Sequence, residues 1–420
     1  MELKRVVVTG LGAVTPLGNT VAETWEAMKN GVSGAGPITL FDASLFKTQF
    51  ACEVKNFDPT AYLDRKEARK LDRFNQLALV ASKEALQNSC LDLEKEDLER
   101  IGVIVGSGMG GLHSLEESLI EFGESETKEP RFSPFFIPKA IMSLGAGHIS
   151  LAFGLKGPSY AISTACASSP HAICEALDLI RLGRADVLFT CGADADVAIS
   201  GIGGFNAMHA LSTRNDDPAR ASRPYSKSRD GFVLGEGAAC LVLEEYEHAK
   251  ARGAQILAEV VGGAMNSDAH HVTAPDPTGE GARKVMKLAL EDAGIEPEQI
   301  DYINTHGTST PLGDVAELKA IQNLFGEHAY KLNISSTKSM TGHLLGATGV
   351  VEALACILAL RDGIIPPTIN HDEDDEDENI DYRLNFTFNK AEKRDIEYAL
   401  SNTFGFGGHN SALVFKKWKE

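Results

Sequence analysis

The stretch Gly157–Leu182, GPSYAISTACASSPHAICEALDLIRL, decides how the rest of the chain is read. Ahead of its cysteine, Ser159–Thr164 is a short run of small and partly β-branched residues, the composition of a buried strand. Beyond it, Ala172, Ile173, Ala176, Leu177 and Ile180 recur at a helical period. Cys166 therefore falls at a strand-to-helix elbow, close to a helix N-terminus. Unpaired N–H groups and the positive end of the helix dipole favour a thiolate there. Its small neighbours Ala165, Ala167 and Ser168 leave room for a substrate. A buried structural cysteine is the commoner fate of such a residue. The reading of Cys166 as a nucleophile rests on what distant parts of the chain place beside it.

Working outward, strands and helices alternate. A strand at Arg5–Thr9 breaks into Gly10-Leu11-Gly12, and strands follow at Ile101–Val105, Val187–Cys191 and Ala238–Glu244. Past Gly253 the pattern restarts: Glu259–Met265 echoes the first strand as an apolar run ending in glycines. A helix over Gly281–Ala293 comes next, with strands at Ile300–Asn304 and Asn333–Ser335, and an apolar helix over Val350–Leu360. The last strands are expected near Asp381–Phe388, Tyr398–Asn402 and Ser411–Lys416. This is an α/β protein with an internal duplication, read as halves 1–253 and 254–420.

A chain of 420 residues, 43% hydrophobic, can bury one large core or two closely packed ones. Seven cysteines at irregular spacing, with no CxxC pair, argue against a disulfide framework or a zinc site. The opening MELKRVVVTGLGAVTP enters a strand almost at once, so no leader peptide is expected. No apolar run reaches about 18 residues, so no membrane span is expected. These readings point to a cytoplasmic protein. The net charge of −19 argues against nucleic acid as a partner, and an acidic partner would need a local basic patch. Asp64 and Glu67 predict the N-terminus of a long amphipathic helix running to about Gln87. On it, Lys66, Arg69, Lys70 and Arg73 share one face, and Leu71, Phe74, Ala78 and Ala81 another. An ordinary solvated face would carry the same pattern. Glu121–Arg131 reads as a polar surface loop. Asp372–Glu378, seven acidic residues in a row, reads as a solvated, self-repelling loop without the spacing or glycine of a calcium loop.

Three further motifs sit where strands end. Asn304–Thr310 (NTHGTST) carries a histidine, Ser335–His343 (SSTKSMTGH) a lysine and a second histidine, and Asn402–Asn410 (NTFGFGGHN) a glycine loop with two aromatics. Ligand sites of α/β sheets gather at such strand ends. Any one histidine could be structural, but three polar strand-end loops beside a strand-end cysteine form a set. Cysteine can hold an acyl group as a thioester, and two imidazole N–H groups can stabilise an enolate oxygen. Carbon–carbon bond formation from a decarboxylating malonyl thioester needs those two functions and no strong base. A lysine nearby would help set the histidines' protonation.

These motifs resemble those of the β-ketoacyl-acyl carrier protein synthases. Ala210–Ala238, ALSTRNDDPARASRPYSKSRDGFVLGEGA, makes the elongating enzymes of bacterial fatty acid synthesis the best match, and the likeness runs from about Lys4 to Lys416. The resemblance implies a thiolase-like duplicated αβαβα sandwich, usually a homodimer, with acyl carrier protein as partner. It implies no cofactor beyond the phosphopantetheine arm that bears the substrates. Cys166 would accept the acyl group, His306 and His343 act on malonyl, and Lys338 support them. The amides of Cys166 and Phe404 would form the oxyanion hole, with Phe404 as gate. Met109, Phe205, Thr308, Thr310 and Phe406 would line the substrate site. Lys66, Arg69 and Lys70, joined by Lys128 and Arg131, would dock the carrier. Asn304, Glu352, Ser401 and Asn402 match residues around a monovalent cation in some members. The departures are His409 where threonine is usual, Pro170 in the first turns of the nucleophile helix, His209 where arginine is common, and an unusually long acidic run at Asp372–Glu378.

Rival readings fail on particular residues. Gly106, Gly108 and Gly111 match GxGxxG, but the strand-end acidic residue a dinucleotide site needs about 20 positions on is missing, because Gly123–Pro130 reads as a loop. A degradative thiolase needs a second catalytic cysteine, and the only late one, Cys356, lies in an apolar helical run. An initiating synthase of the Cys–His–Asn type would have asparagine at His343, and a non-catalytic chain-length partner would lack Cys166. A polyketide ketosynthase and a cysteine thioester hydrolase remain as alternatives.

Overall fold

The computed structural model describes residues 3–419. Among these, ten strands form the main sheet: β1 (Val6–Val14), β2 (Ile101–Gly106), β3 (Ser159–Ile162), β4 (Val187–Asp194), β5 (Gly237–Glu245), β6 (Ala258–Ser267), β7 (Tyr302–Asn304), β8 (Asn333–Ser335), β9 (Tyr398–Gly405) and β10 (His409–Lys417). Their order is β8-β7-β9-β10-β6-β1-β5-β4-β2-β3. In the first half, β3, β2 and β4 run parallel while β5 and β1 are antiparallel additions. The second half repeats this pattern with β8, β7 and β9 parallel, then β10 and β6 antiparallel. Only Val7–Glu259 and Val8–Ala258 pair across the seam, so the sheet is two similar five-stranded units joined at one corner.

Five helices build the layers: α1 (Arg73–Ser89), α2 (Ser168–Arg181), α3 (Glu280–Ala293), α4 (Gly313–Phe325) and α5 (Thr348–Asp362). Helix α1 covers the outer face of the first unit and α3 that of the second, while α2 and α5 pack between the units. The result is the expected αβαβα sandwich. Helix α5 is buried from Thr348 to Leu360, which explains a sequence apolar on every side. The echoed glycines have one cause. A Cβ on Gly12 would lie 1.8 Å from the Ala81 carbonyl of α1, and one on Gly262 would lie 2.5 Å from the Ala289 carbonyl of α3. In each half a glycine on the first strand lets the outer helix lie directly on the sheet.

The long helix expected from Asp64 is two helices. Asp64 caps Arg65–Ala68, and Asp72 caps α1 by accepting from the Phe74 amide. The second cap restarts the helix and turns Arg73 out of line with Lys66 and Arg69. Arg73 instead holds Glu236 with two hydrogen bonds, 2.7 and 2.5 Å, and the Glu236 carboxylate is fully buried. The apolar half of the expectation stands, since Leu71, Phe74, Ala78 and Ala81 are all buried. One loop expectation and one strand expectation also change. Glu121–Glu124 belongs to helix Leu112–Glu124, and Asp381–Phe388 makes only single bridges, at Phe386 and Phe388. The acidic run Asp372–Glu378 is not simply solvated: Asp372, Asp375 and Asp377 pair with arginines.

Candidate active site

Cys166 lies between β3 and α2 at an elbow whose preceding residue, Ala165, has a left-handed φ of 51°. A non-glycine residue there costs about 1–2 kcal/mol, offset by local bonds. The Ser168 hydroxyl donates to the Ala165 carbonyl at 2.6 Å and accepts from the Thr164 amide at 2.9 Å. No side chain caps α2; the Ala167 and Ser168 amides donate to the Thr164 and Ala165 carbonyls of the elbow instead. Pro170 sits in the first turn, where its missing N–H costs nothing.

The structure brings the cysteine and both histidines together. Sγ of Cys166 and imidazole nitrogens of His306 and His343 all lie within 4.8 Å of one another, and all three residues are buried. His343 Nε2 is 3.1 Å from Sγ, and its Nδ1 is 2.9 Å from the Thr348 hydroxyl. The two imidazoles meet edge to face, 5.4 Å between centroids. Phe404 packs on His306 and Phe232 on His343. Burial first, then the Lys338 ammonium, hold both histidines well below their ordinary range, so both are neutral at pH 7. Lys338 is itself buried and bonded to Glu352. Burial pushes the Glu352 carboxyl up to about 8, against the pull of Lys338.

The expected resting thiolate is overturned. Burial pushes the Cys166 thiol up to about 11, outweighing Lys338 and the nearby amides. The oxyanion pair is also corrected. The amides that draw the Cys166 thiol down, against burial, are those of Phe406 and Cys166 itself, whereas Phe404 lies within β9, paired with Asn410 of β10. Phe406 is the first residue beyond that strand, at the start of the glycine turn. A Cβ on Gly405 would press to 3.1 Å from the Cys166 amide, so this loop must approach the elbow as bare backbone.

In front of the cysteine lies a cavity of about 820 Å³. All five expected substrate residues, Met109, Phe205, Thr308, Thr310 and Phe406, line it, as do Phe404 and the exposed His209. None of Lys66, Arg69, Lys70, Lys128 or Arg131 does. Lys66 and Arg69 are exposed, Lys70 pairs with Glu67 at 2.6 Å, and Arg131 pairs with Glu129.

Three functional neighbours escaped sequence reasoning. Glu317 of α4 accepts from the amides of His306 and Gly307, both at 2.8 Å, and burial raises its carboxyl to about 7. Thr348 orients His343. Asp194, at the end of β4, accepts from Ser107 Oγ at 2.6 Å, from the Gly108 amide at 2.9 Å and from the Gly346 amide at 2.6 Å. The glycine loop that mimics a dinucleotide fingerprint thus wraps a carboxylate of its own chain. Only the acidic character of Glu317 and Asp194 is visible in the sequence; nothing there says where they point.

The four residues matched to a cation site meet a direct test. Oδ1 of Asn304, Oε2 of Glu352, Oγ of Ser401 and Oδ1 of Asn402 are all buried without a hydrogen-bond partner. Asn304 and Ser401 are paired across β7 and β9. Orphaned oxygens of this kind suit a hard monovalent cation, and the residues fit.

Comparison with known proteins gives a consistent picture. The family models for the beta-ketoacyl synthase N-terminal domain and C-terminal domain match residues 3–249 and 257–372. A 3-oxoacyl-acyl-carrier-protein synthase 2 of Coxiella burnetii is 50% identical over 418 residues, 99% of each chain. One of Vibrio harveyi is 50% identical over 424 residues, 100% of each. Among solved structures, a beta-ketoacyl synthase from Burkholderia phymatum superposes with a TM-score of 0.90 at 37% identity, over 99% of this chain and 100% of that one. A ketosynthase in complex with its type II PKS acyl-carrier protein, bound to the hexaketide, gives 0.91 at 33% identity over the same shares.

Proposed function

This chain belongs to the beta-ketoacyl synthase family, and on that footing we propose how its own residues carry out the elongating condensation of fatty acid synthesis. The reaction joins an acyl group to malonyl-acyl carrier protein and releases CO2 and free carrier. The observation that carries the reading is a thiol with two neutral imidazoles, all within 4.8 Å, at the foot of a cavity that opens to carrier-borne substrates.

In the first half-reaction Cys166 attacks the acyl thioester. The thiol proton passes by way of His343 Nε2 to the departing carrier sulfur, so no net charge is left behind. The Cys166 and Phe406 amides receive the tetrahedral oxyanion. In the second, malonyl loses CO2 and its thioester oxygen becomes an enolate. Once Cys166 is acylated, neutral imidazoles with an N–H turned to that oxygen stabilise it, His343 in its Nε2–H tautomer with Nδ1 accepting from the Thr348 hydroxyl; burial and Lys338 keep both imidazoles neutral. The enolate carbon attacks the Cys166 acyl carbonyl, and the expelled thiolate takes up one proton. A monovalent cation held by Asn304, Glu352, Ser401 and Asn402 would brace β7, β9 and α5 behind the histidines.

Carrier docking at Lys66, Arg69 and Lys70, with Lys128 and Arg131, is part of the same reading. A homodimer is supported by the sheet edge at β3 and by exposed Leu151 on helix Leu144–Phe153, which packs against that strand. Free thiols at all seven cysteines suit the cytoplasm, and among the described residues no helix is long and apolar enough to cross a membrane.

The test is product analysis. Purified enzyme with acyl carriers of graded length and malonyl carrier should yield β-ketoacyl carriers two carbons longer, with Cys166→Ala yielding none. Free fatty acid as the main product, independent of malonyl, would make the protein a thioester hydrolase.

A further inference from the structure

The cavity wall beside His306 is built from two segments distant in sequence, Asp230–Phe232 and Thr308–Gly313. Between them, and behind them, sits Arg229, whose side chain is only 2% exposed. Its guanidinium donates to the carbonyls of Thr310 at 3.0 Å, Pro311 at 2.9 Å and Ser226 at 2.7 Å. It also meets two carboxylates, Asp377 at 2.7 Å and Asp314 at 3.5 Å. Arg229 is thus covalently part of one wall and hydrogen-bonded to the other. The joint is tightened by the Gly231 amide, which donates to the Ser309 carbonyl at 3.1 Å, and by the Arg223 amide, which donates to Ser309 Oγ at 3.0 Å. Ser309 itself is held at a left-handed φ of 68°, a conformation that needs such support.

The acidic run supplies the outer hold. Asp372 pairs with Arg220. Asp375 accepts from Arg223 at 3.1 Å and from the Ser228 amide at 3.0 Å, and its carbonyl accepts from the Lys227 amide at 2.7 Å. Asp377 takes Arg229, and its amide donates to the Tyr382 hydroxyl, which in turn donates to the Tyr225 carbonyl at 2.5 Å. Asp375 and Asp377 are half-buried while Asp374 and Glu378 are exposed, so alternate members of the run face inward.

Resting on the reading above, we propose that Arg229, clamped by Asp377, is a positioning residue for the phosphopantetheine arm. It fixes the Thr308–Pro311 wall so that the Thr308 and Thr310 hydroxyls meet an arm entering the cavity, and the acidic run is the strap that keeps it in place. A guanidinium serves because its planar fork can reach two carbonyls and a carboxylate at once, which an ammonium cannot.

Binding can be read without catalysis. Pantetheine in the cavity shields Cys166 from iodoacetamide, and the concentration that halves the alkylation rate reports its affinity. Asp377→Asn should raise that concentration about tenfold, the scale of one lost charge-assisted bond. Arg229→Lys should do at least as much. Asp377→Glu should recover most of the loss, and Asp374→Asn should have no effect. Alkylation of Cys166 without pantetheine should keep its wild-type rate in every variant; Asp377→Asn, which leaves Arg229 with Asp314 alone, should melt lower than the parent but stay folded at the assay temperature, and Asp377→Glu should melt near the parent. Unchanged pantetheine protection in Asp377→Asn overturns the proposal. So does an equal fall in alkylation without pantetheine, which would make the strap a general scaffold, and so does a wild-type enzyme that pantetheine fails to protect. Failure of condensation itself would appear separately, as wild-type protein that binds pantetheine but makes no β-ketoacyl product.

Discussion

Gly349→Ala should separate the two buried helices on which the site depends. A Cβ at Gly349 would lie 2.1 Å from Cγ and 2.5 Å from Cδ of Pro170, against about 3.4 Å for ordinary contact. Pro170 stands four residues after Cys166, and Gly349 follows Thr348, the partner of His343. The proline ring cannot rotate away, so α2 and α5 must part by more than about 1 Å, and overpacking of this kind costs about 1–3 kcal/mol. Cys166 precedes α2 and His343 precedes α5, so parting the two helices strains their 3.1 Å Sγ–Nε2 contact. Displacement on this scale costs about 10²-fold in rate. The variant should therefore melt several degrees lower and lose about 10²-fold in kcat for condensation. Adding Pro170→Ala removes the ring and should restore much of both losses, a coupling that a double-mutant cycle measures. A folded Gly349→Ala enzyme with wild-type kcat, or a cycle with no coupling, would refute the helix-contact argument.

Because burial holds the Cys166 thiol near 11, its thiolate fraction should grow with pH across the whole accessible range. Alkylation of Cys166 by iodoacetamide should rise about tenfold per pH unit from 7 to 10; a plateau below pH 8 would indicate a preformed thiolate. Peptide mapping should show the exposed Cys90 labelled as well, with the other five cysteines buried and protected. Reversal of Lys66, Arg69 and Lys70 together to glutamate should raise the KM for carrier-borne substrates about tenfold while leaving a pantetheine thioester unchanged, although each charge alone is worth about 0.2–1 kcal/mol. Arg73 belongs outside that set: Arg73→Glu would leave the buried Glu236 unpaired and should destabilise the fold rather than weaken docking.

The sequence made the architecture readable because duplication left the same physical mark twice: an apolar strand ending in glycines under an outer helix. The nucleophile elbow and the histidine loops were equally plain, since each joins a reactive residue to a break in periodicity. What stayed hidden depends on direction in space. Asp72 looked like a position inside a helix, and only its bonds to the Phe74 and Ser114 amides show that the helix restarts there. Helix position suggested a thiolate at Cys166, whereas burial, which no local pattern reports, decides against it. The resemblance named the Phe404 amide, but Phe404 lies within the strand and it is the Phe406 amide, just past the strand's end, that acts on the Cys166 thiol. The acidic run reads as self-repelling until Arg220, Arg223 and Arg229 arrive from about 150 residues earlier in the chain.

The division of labour between one thiol and two neutral imidazoles is tested most directly in His306→Ala. Its imidazole serves the malonyl half-reaction alone, whereas Cys166 serves the acyl half and His343 takes part in both. Intact-mass analysis after incubation with acyl carrier should show Cys166 acylated nearly to the wild-type extent, and CO2 release from malonyl carrier should fall at least about 10²-fold. Folded His306→Ala protein that fails to acylate, or that releases CO2 at the wild-type rate, would contradict the account.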